Sequence, residues 1–557
     1  MGLPGIDRPL RTPQVLALDL SRPVTDAPAD TPLARLAAAR RPALREVLDA
    51  LEVAARDARV RAVVARVDAP AESWAHAQEL RAAVETFRAS GKPAVAHAQS
   101  FSEAGDALLA YLVATGFDEI HLQPTGEVGV TGVAMVQPFV ADLLDKLDVT
   151  ADFDHRHEYK TAKNLLTERA FTEPHRESYD RLVASLHDQL LDAVAGGRGL
   201  PRERASALID RAPLLADDAL HHGLVDRLAY RDQTVAAVRQ RAGANARLVP
   251  LTQYRGVVRR RQWRPGRPTV AVVHGHGAIQ VGRSRRSLIG PTMGSDTVAT
   301  GFQQAIRDKR VRAVVFRVES PGGSAVASDA IWRAVERARG AGKPVVVSMG
   351  GVAGSGGYWV SMGADRIIAA GSTFTGSIGV VYGKFVIRGL RERMGITTDE
   401  VHRGVNALMH SGEQPFTEQQ REQVGAFLDR VYDQFVDKVA DGRGLERAYV
   451  HDVARGRVWT GADAAERRLV DELGGYREAF AAARRLAGIA PDARLRVRLL
   501  PRTSLSERLG LRHPDGEEAR AVLSGLSRLA RAVRGGEAAQ ARMPDWIEHV
   551  RSDRQRW

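Results

Sequence analysis

Short apolar runs alternate with amphipathic stretches along most of the chain, and the alternation is played through twice. In the first half, Val15–Leu20, Ala62–Val67 and Ala94–Ala98 are apolar runs of strand length. Ala43–Arg56 and Trp74–Ala89 carry apolar positions at helical spacing. In the second half, Thr269–His274, Ala313–Val318 and Val345–Met349 predict strands. Asp296–Arg307 and Asp329–Arg339 predict helices, and another helix starts near Gly356. Longer helices are predicted over about 174–196 and 417–441. Strands alternating with helices predict an α/β fold, here two tandem domains with parallel sheets and flanking helices.

The two halves also share words. Arg61-Ala62-Val63-Val64 returns as Arg312-Ala313-Val314-Val315, and Gly91-Lys92-Pro93 as Gly342-Lys343-Pro344. Phe171-Thr172-Glu173 returns as Phe416-Thr417-Glu418, and Leu224-Val225-Asp226 as Leu469-Val470-Asp471. The expected division is an N-terminal repeat over 1–250, a basic, solvated linker over 251–267, a C-terminal repeat over 268–500 and a tail over 501–557. In the tail, Leu523, Leu526, Leu529 and Val533 fall at helical spacing and predict an amphipathic helix.

Composition narrows the chemistry. The 557 residues include no cysteine, which removes disulfides, thiolate metal sites and a cysteine nucleophile. The net charge of +13 comes from arginine, because only eight of the 80 basic residues are lysine. An arginine-rich composition accounts for this charge without nucleic acid as a partner. Arginine cannot act as a general base, so each of the few lysines is a candidate in a way that no arginine is. The opening stretch from Met1 to Asp19 contains prolines and charges, and no apolar run reaches about 18 residues. A cytoplasmic protein, or one peripheral to the inner membrane, is the expectation. His274-Gly275-His276 lacks partners at ligand spacing and reads as a loop after a strand, so neither a metal nor a cofactor is expected.

Each repeat lacks what the other keeps. The second contains Gly354-Ser355-Gly356-Gly357-Tyr358, glycines around a serine at a strand-to-helix turn. That pattern projects a hydroxyl and aims backbone amides at a substrate carbonyl. Aligning Tyr111 with Tyr358 puts Leu108 in the serine's place in the first repeat. Ser320-Pro321-Gly322-Gly323-Ser324 supplies a Gly-Gly loop fit for an oxyanion hole, and its counterpart Ala69-Pro70-Ala71-Glu72-Ser73 has lost both glycines. The first repeat in turn contains Lys160, whose counterpart is Val405, with Lys163 as a rival nearby. A serine in one half and a lysine in the other predict one Ser/Lys site per chain.

Together with Thr375-Gly376-Ser377-Ile378-Gly379, Gly456-Arg457-Val458-Trp459-Thr460-Gly461 and Glu158-Tyr159-Lys160-Thr161-Ala162, these motifs resemble the bacterial signal peptide peptidase A family in its long, tandemly duplicated form. The resemblance covers roughly residues 14–490. His157 and Thr161 replace a glycine and a serine of the family's lysine segment, and Arg468 stands where a small residue is expected, opposite Gly223. The membrane anchor common in the long form is not seen. The resemblance implies a fold akin to crotonase and the Clp protease proteolytic subunit, and a homo-oligomer such as a tetramer. It also implies a peptidase acting on signal-peptide remnants or other apolar peptides. Ser355 would be the nucleophile, Lys160 the base and Ser377 the residue orienting the lysine. Amides of Gly356, Gly322 and Gly323 would form the oxyanion hole. The alternatives are a crotonase-type acyl-thioester enzyme, which gives no reason for the split loss of serine and lysine, and a non-catalytic assembly scaffold.

Overall fold

The computed structural model describes residues 12–26, 42–103, 107–243, 245–262, 267–287, 290–491 and 493–502. The helix expected at 519–533 lies outside the described residues.

Each repeat is built on a twisted sheet whose strands are apolar on both faces, as parallel strands covered by helices must be. The first sheet runs, from one edge to the other, Arg227–Leu228, Glu119–Leu122, Ala94–Ala98, Val60–Arg66, Gln14–Asp19, Arg247–Pro250, and all its strands are parallel. The second follows the same plan with Val345–Gly354, Val311–Ser320, Thr269–His276 and Arg496–Leu500. Two strands pair with Val345–Gly354 on its other side: Arg366–Ala369 along its first half and Phe374–Gly376 along its end. One continuous apolar core joins the two repeats: Val270, Val315 and Val346 of the second pack in the same cluster as Leu16, Val63 and Phe87 of the first. The long helices are Glu173–Arg198 and Glu418–Arg443, each ended by a left-handed glycine, Gly199 at φ 64° and Gly444 at φ 62°.

Three elements differ from expectation. The strand starting at Val345 does not stop at Met349 but continues through the glycines to Gly354. Pairing with Phe374–Gly376 and a carboxylate on the amides of Gly351 and Val352 hold extended a stretch that glycine content alone reads as loop. His274-Gly275-His276 is likewise strand, pairing in register as far as His276 with Glu319. Residues 251–262 form a helix, Leu251–Gln262, in place of a solvated linker. Its Leu251, Tyr254 and Val258 are buried on the first repeat, and the Tyr254 hydroxyl donates to Asp57 at 3.0 Å.

A two-stranded arm carries the first repeat onto the second. Thr150–His155 pairs antiparallel with Val381–Val386, from Thr150 opposite Val386 to His155 opposite Val381, and Phe153 meets Phe385 edge-on at 5.2 Å. The lysine segment leaves the end of this arm. Among the described residues, no helix is long and apolar enough to cross a membrane.

Candidate active site

Ser355 sits where the central strand of the second sheet gives way to a four-residue helix, Gly356–Trp359. Its backbone is at φ 53° and ψ −118°. A non-glycine residue holds such a conformation at a cost of about 1–3 kcal/mol, and the surrounding structure must impose it. The serine amide donates to the Gly376 carbonyl at 2.9 Å. A Cβ on Gly357 would lie 2.6 Å from the Ser320 carbonyl oxygen, so the turn packs directly against the Ser320–Ser324 loop.

In that loop the Ser320 hydroxyl donates to the Gly277 carbonyl at 2.7 Å and accepts from the Gly322 amide at 3.1 Å. The expected oxyanion arm therefore divides. Gly322 spends its N–H inside the loop, whereas the amides of Gly323 and Gly356 are left without a partner among the described residues. These two amides lie close together, since a Cβ on Gly356 would fall 3.2 Å from the Gly323 nitrogen.

Lys160 is 3% exposed. Its Nζ lies 3.0 Å from Ser355 Oγ, 2.9 Å from Ser377 Oγ and 2.8 Å from the Ser377 carbonyl oxygen. Burial pulls its pKa down from 10.5 to about 7. The segment is held from the second repeat, where the Tyr159 amide donates to the Arg455 carbonyl at 3.2 Å, and Ser377 is held within that repeat, its amide donating to the Arg457 carbonyl at 2.7 Å. Gly456 is required here, because a Cβ at that position would lie 2.5 Å from the Lys160 nitrogen. The Gly456–Gly461 motif thus fixes both the lysine and the serine beside it. His157 has φ 66°, which is why a glycine suits that position, and its ring packs at 4.2 Å on Tyr432.

The structure thus brings Lys160, Ser355 and Ser377 together and leaves Lys163 out. Lys163 is half-buried in the turn Thr161–Lys163. The counterparts are inert. Val405 is 81% exposed, and Leu108 packs against the first repeat's core.

Sequence reasoning missed Glu319. Its carboxylate accepts from the amides of Gly351 at 2.6 Å and Val352 at 3.1 Å, tying the strand that leads into the Ser320–Ser324 loop to the strand that ends at the serine. Burial, with the negative Asp26 nearby, pushes its pKa up to about 7. The available signal was an acid directly after the apolar strand, alternating with Arg317, in a sheet buried on both faces.

A family model for peptidase family S49 matches residues 86–245 and 337–490. The chloroplastic serine protease SPPA of Arabidopsis thaliana is 28% identical over 81% of this chain and 67% of its own length. Protease 4 of Salmonella typhi is 33% identical over 73% of this chain and 65% of its own length. The chain thus spans about two-thirds of the length of these relatives. A solved structure of a ClpP1 mutant from Listeria monocytogenes aligns with 37% of this chain and 93% of its own, at 15% identity and a TM-score of 0.24. With the family model matching more than half of its residues, the chain belongs to peptidase family S49, the serine-type peptidases that include protease 4.

Proposed function

We propose that the protein is an endopeptidase with a Ser355/Lys160 dyad that cleaves extended, apolar peptides, signal-peptide remnants among them, through an acyl-enzyme. The observation that carries this reading is a buried amine 3.0 Å from the hydroxyl of a strained serine. A neutral lysine has two N–H groups and one lone pair. The two oxygens of Ser377 take the N–H groups, and the lone pair then faces Ser355 Oγ. Ser377 is therefore a positioning residue.

In the forward step Lys160 removes the Ser355 proton as Oγ bonds to the peptide carbonyl carbon. The carbonyl oxygen gains the negative charge and meets the amides of Gly323 and Gly356. The tetrahedral intermediate collapses, the C–N bond breaks, and Lys160 returns the proton to the leaving amine. Water then enters, Lys160 takes its proton, and hydrolysis of the ester frees the carboxylic acid and restores the serine. Apolar side chains as substrate are supported by Val281 and Val326, 66% and 71% exposed. Each lies two residues from a backbone partner in the loop, Ile279 and Ser324, which bond to one another. Self-assembly belongs to the same reading. Leu143, Leu147, Met394 and Ile396 are exposed on two segments linked by an Arg393–Asp148 ion pair at 3.2 Å. A single-chain mass in solution would remove that part.

A serine-directed acylating probe followed by mass spectrometry of the peptides tests the dyad. The adduct is expected on Ser355 in the wild type and strongly reduced in Lys160→Met. Labelling of another residue, or equal labelling without the lysine, would overturn it.

A further inference from the structure

Behind the oxyanion loop, a second polar cluster bridges the two repeats without touching the dyad. Asp26 follows the first strand of repeat one, and His76 lies in the first turn of the helix Trp74–Arg88. Glu319 comes from the other repeat, at the end of Val311–Ser320. One ligand-type atom from each lies within 4.8 Å of the others. His76 is 3% exposed, and neither ring nitrogen has a hydrogen-bond partner among the described residues. Its Nε2 sits 4.0 Å from the Asp26 carboxylate. A buried imidazole beside a carboxylate but outside hydrogen-bond reach has lost water without a replacement, which costs folding free energy unless something fills the gap.

The charges have the same gap. Asp26, Glu79 and Glu319 gather around one guanidinium, that of Arg317, which bonds to Asp26 at 2.9 Å and Glu79 at 2.7 Å. Arg45, the next guanidinium, is engaged by Asp49. Three carboxyl groups against one fixed positive charge leave room for a divalent cation.

We propose that Asp26, His76 and Glu319 form a divalent-cation site, matched to Zn2+, that ties the two repeats together behind the oxyanion loop. One imidazole nitrogen and two carboxylate oxygens are a zinc donor set, and a water completes four-coordination. Bonds of about 2.0–2.2 Å bridge donors roughly 3.5 Å apart, so closing the site requires a movement of about 1 Å. The outer contacts are already in place: Arg317 orients Asp26, and the amides of Gly351 and Val352 orient Glu319. Because Glu319 directly precedes Ser320 and holds the strand leading to Ser355, the ion would stiffen both arms of the oxyanion hole from outside the reaction path. The site is independent of the peptidase reading.

The test uses the full chain, stripped with chelator, dialysed against micromolar Zn2+ and passed through gel filtration before metal analysis. The expected result is one zinc retained per chain, none in His76→Gln or Glu319→Gln, and one in His222→Gln, which removes half of the surface pair His221–His222. Thermal unfolding supplies a second readout: Zn2+ raises the midpoint of the wild type and of His222→Gln but not of His76→Gln. No retained zinc in the wild type overturns the proposal. So does full retention in a folded His76→Gln, or loss only in His222→Gln. If neither cluster variant folds, Co2+ added to wild type decides: a tetrahedral visible spectrum supports the site, and a hexa-aquo spectrum overturns it.

Discussion

Replacing Lys160 by methionine should destroy activity and, at neutral pH, make the protein more stable. Methionine matches the lysine stem in length and flexibility and removes the amine. Holding a buried lysine at about 7 instead of 10.5 costs folding on the order of 5 kcal/mol. Below about pH 7 both folded and unfolded chains hold the proton, and the full cost stands. Between about 7 and 10.5 the unfolded chain holds a proton that the folded chain has released, so raising the pH favours folding of the wild type. Above 10.5 both states are neutral and the cost is gone. The substitution also strands the Ser377 hydroxyl and carbonyl, which now pair with Nζ, at about 1–3 kcal/mol that does not vary with pH. The net gain at pH 6–7 is therefore about 2–4 kcal/mol. The advantage of Lys160→Met over wild type should shrink by about 1.4 kcal/mol per pH unit across pH 7–10. Urea unfolding of both proteins at pH 6, 7, 8, 9 and 10 reads the difference directly. Glu319, also pushed up to about 7, titrates in both proteins and cancels. A stability difference flat with pH would mean that Lys160 stays charged when folded, and the base assignment would fail.

Other outcomes follow from the same geometry. Because Lys160 must be neutral to accept a proton, kcat/KM should rise about tenfold per pH unit below about 7 and level above it; a profile flat from pH 5 to 8 would contradict this. Ser377→Ala removes one of the lysine's two anchors and should lower kcat about tenfold with KM nearly unchanged and the pH midpoint moved. A change in KM alone would assign Ser377 to substrate binding. Arg468 is exposed at φ 60° where its counterpart Gly223 has φ 77°, so Arg468→Gly should raise stability by about 0.5–1 kcal/mol in urea unfolding without altering turnover. A loss of stability would show that its side-chain contacts outweigh the strain.

The pattern of apolar runs was enough for three strands of each sheet and the helices between them, and the mutual losses between repeats singled out a lysine and a serine 195 positions apart whose side chains lie 3.0 Å from one another. Those signals are legible because periodicity and deletion are properties of the chain itself. The misses have a common physical cause. The strand through Gly350–Gly354 is held by neighbours contributed from Glu319 and Phe374–Gly376, and nothing local records them. The helix Leu251–Gln262 looked like a solvated basic linker because its arginines outnumber its three buried apolar residues. The engagement of the Gly322 amide by the Ser320 hydroxyl depends on a rotamer, and no spacing rule encodes it. Asp26, His76, Glu79, Arg317 and Glu319 come from three separate segments, and only the packing of one repeat on the other makes them a cluster.

In the proposed function, one lysine from the first repeat and one serine from the second form a single peptidase site. This is tested most directly by hydrolysis of an unstructured apolar peptide by wild type, Ser355→Ala, Lys160→Ala and Lys163→Ala. Turnover is expected of the wild type and Lys163→Ala, with loss of at least about 100-fold in the other two. Undiminished cleavage by a folded Lys160→Ala or Ser355→Ala would contradict it.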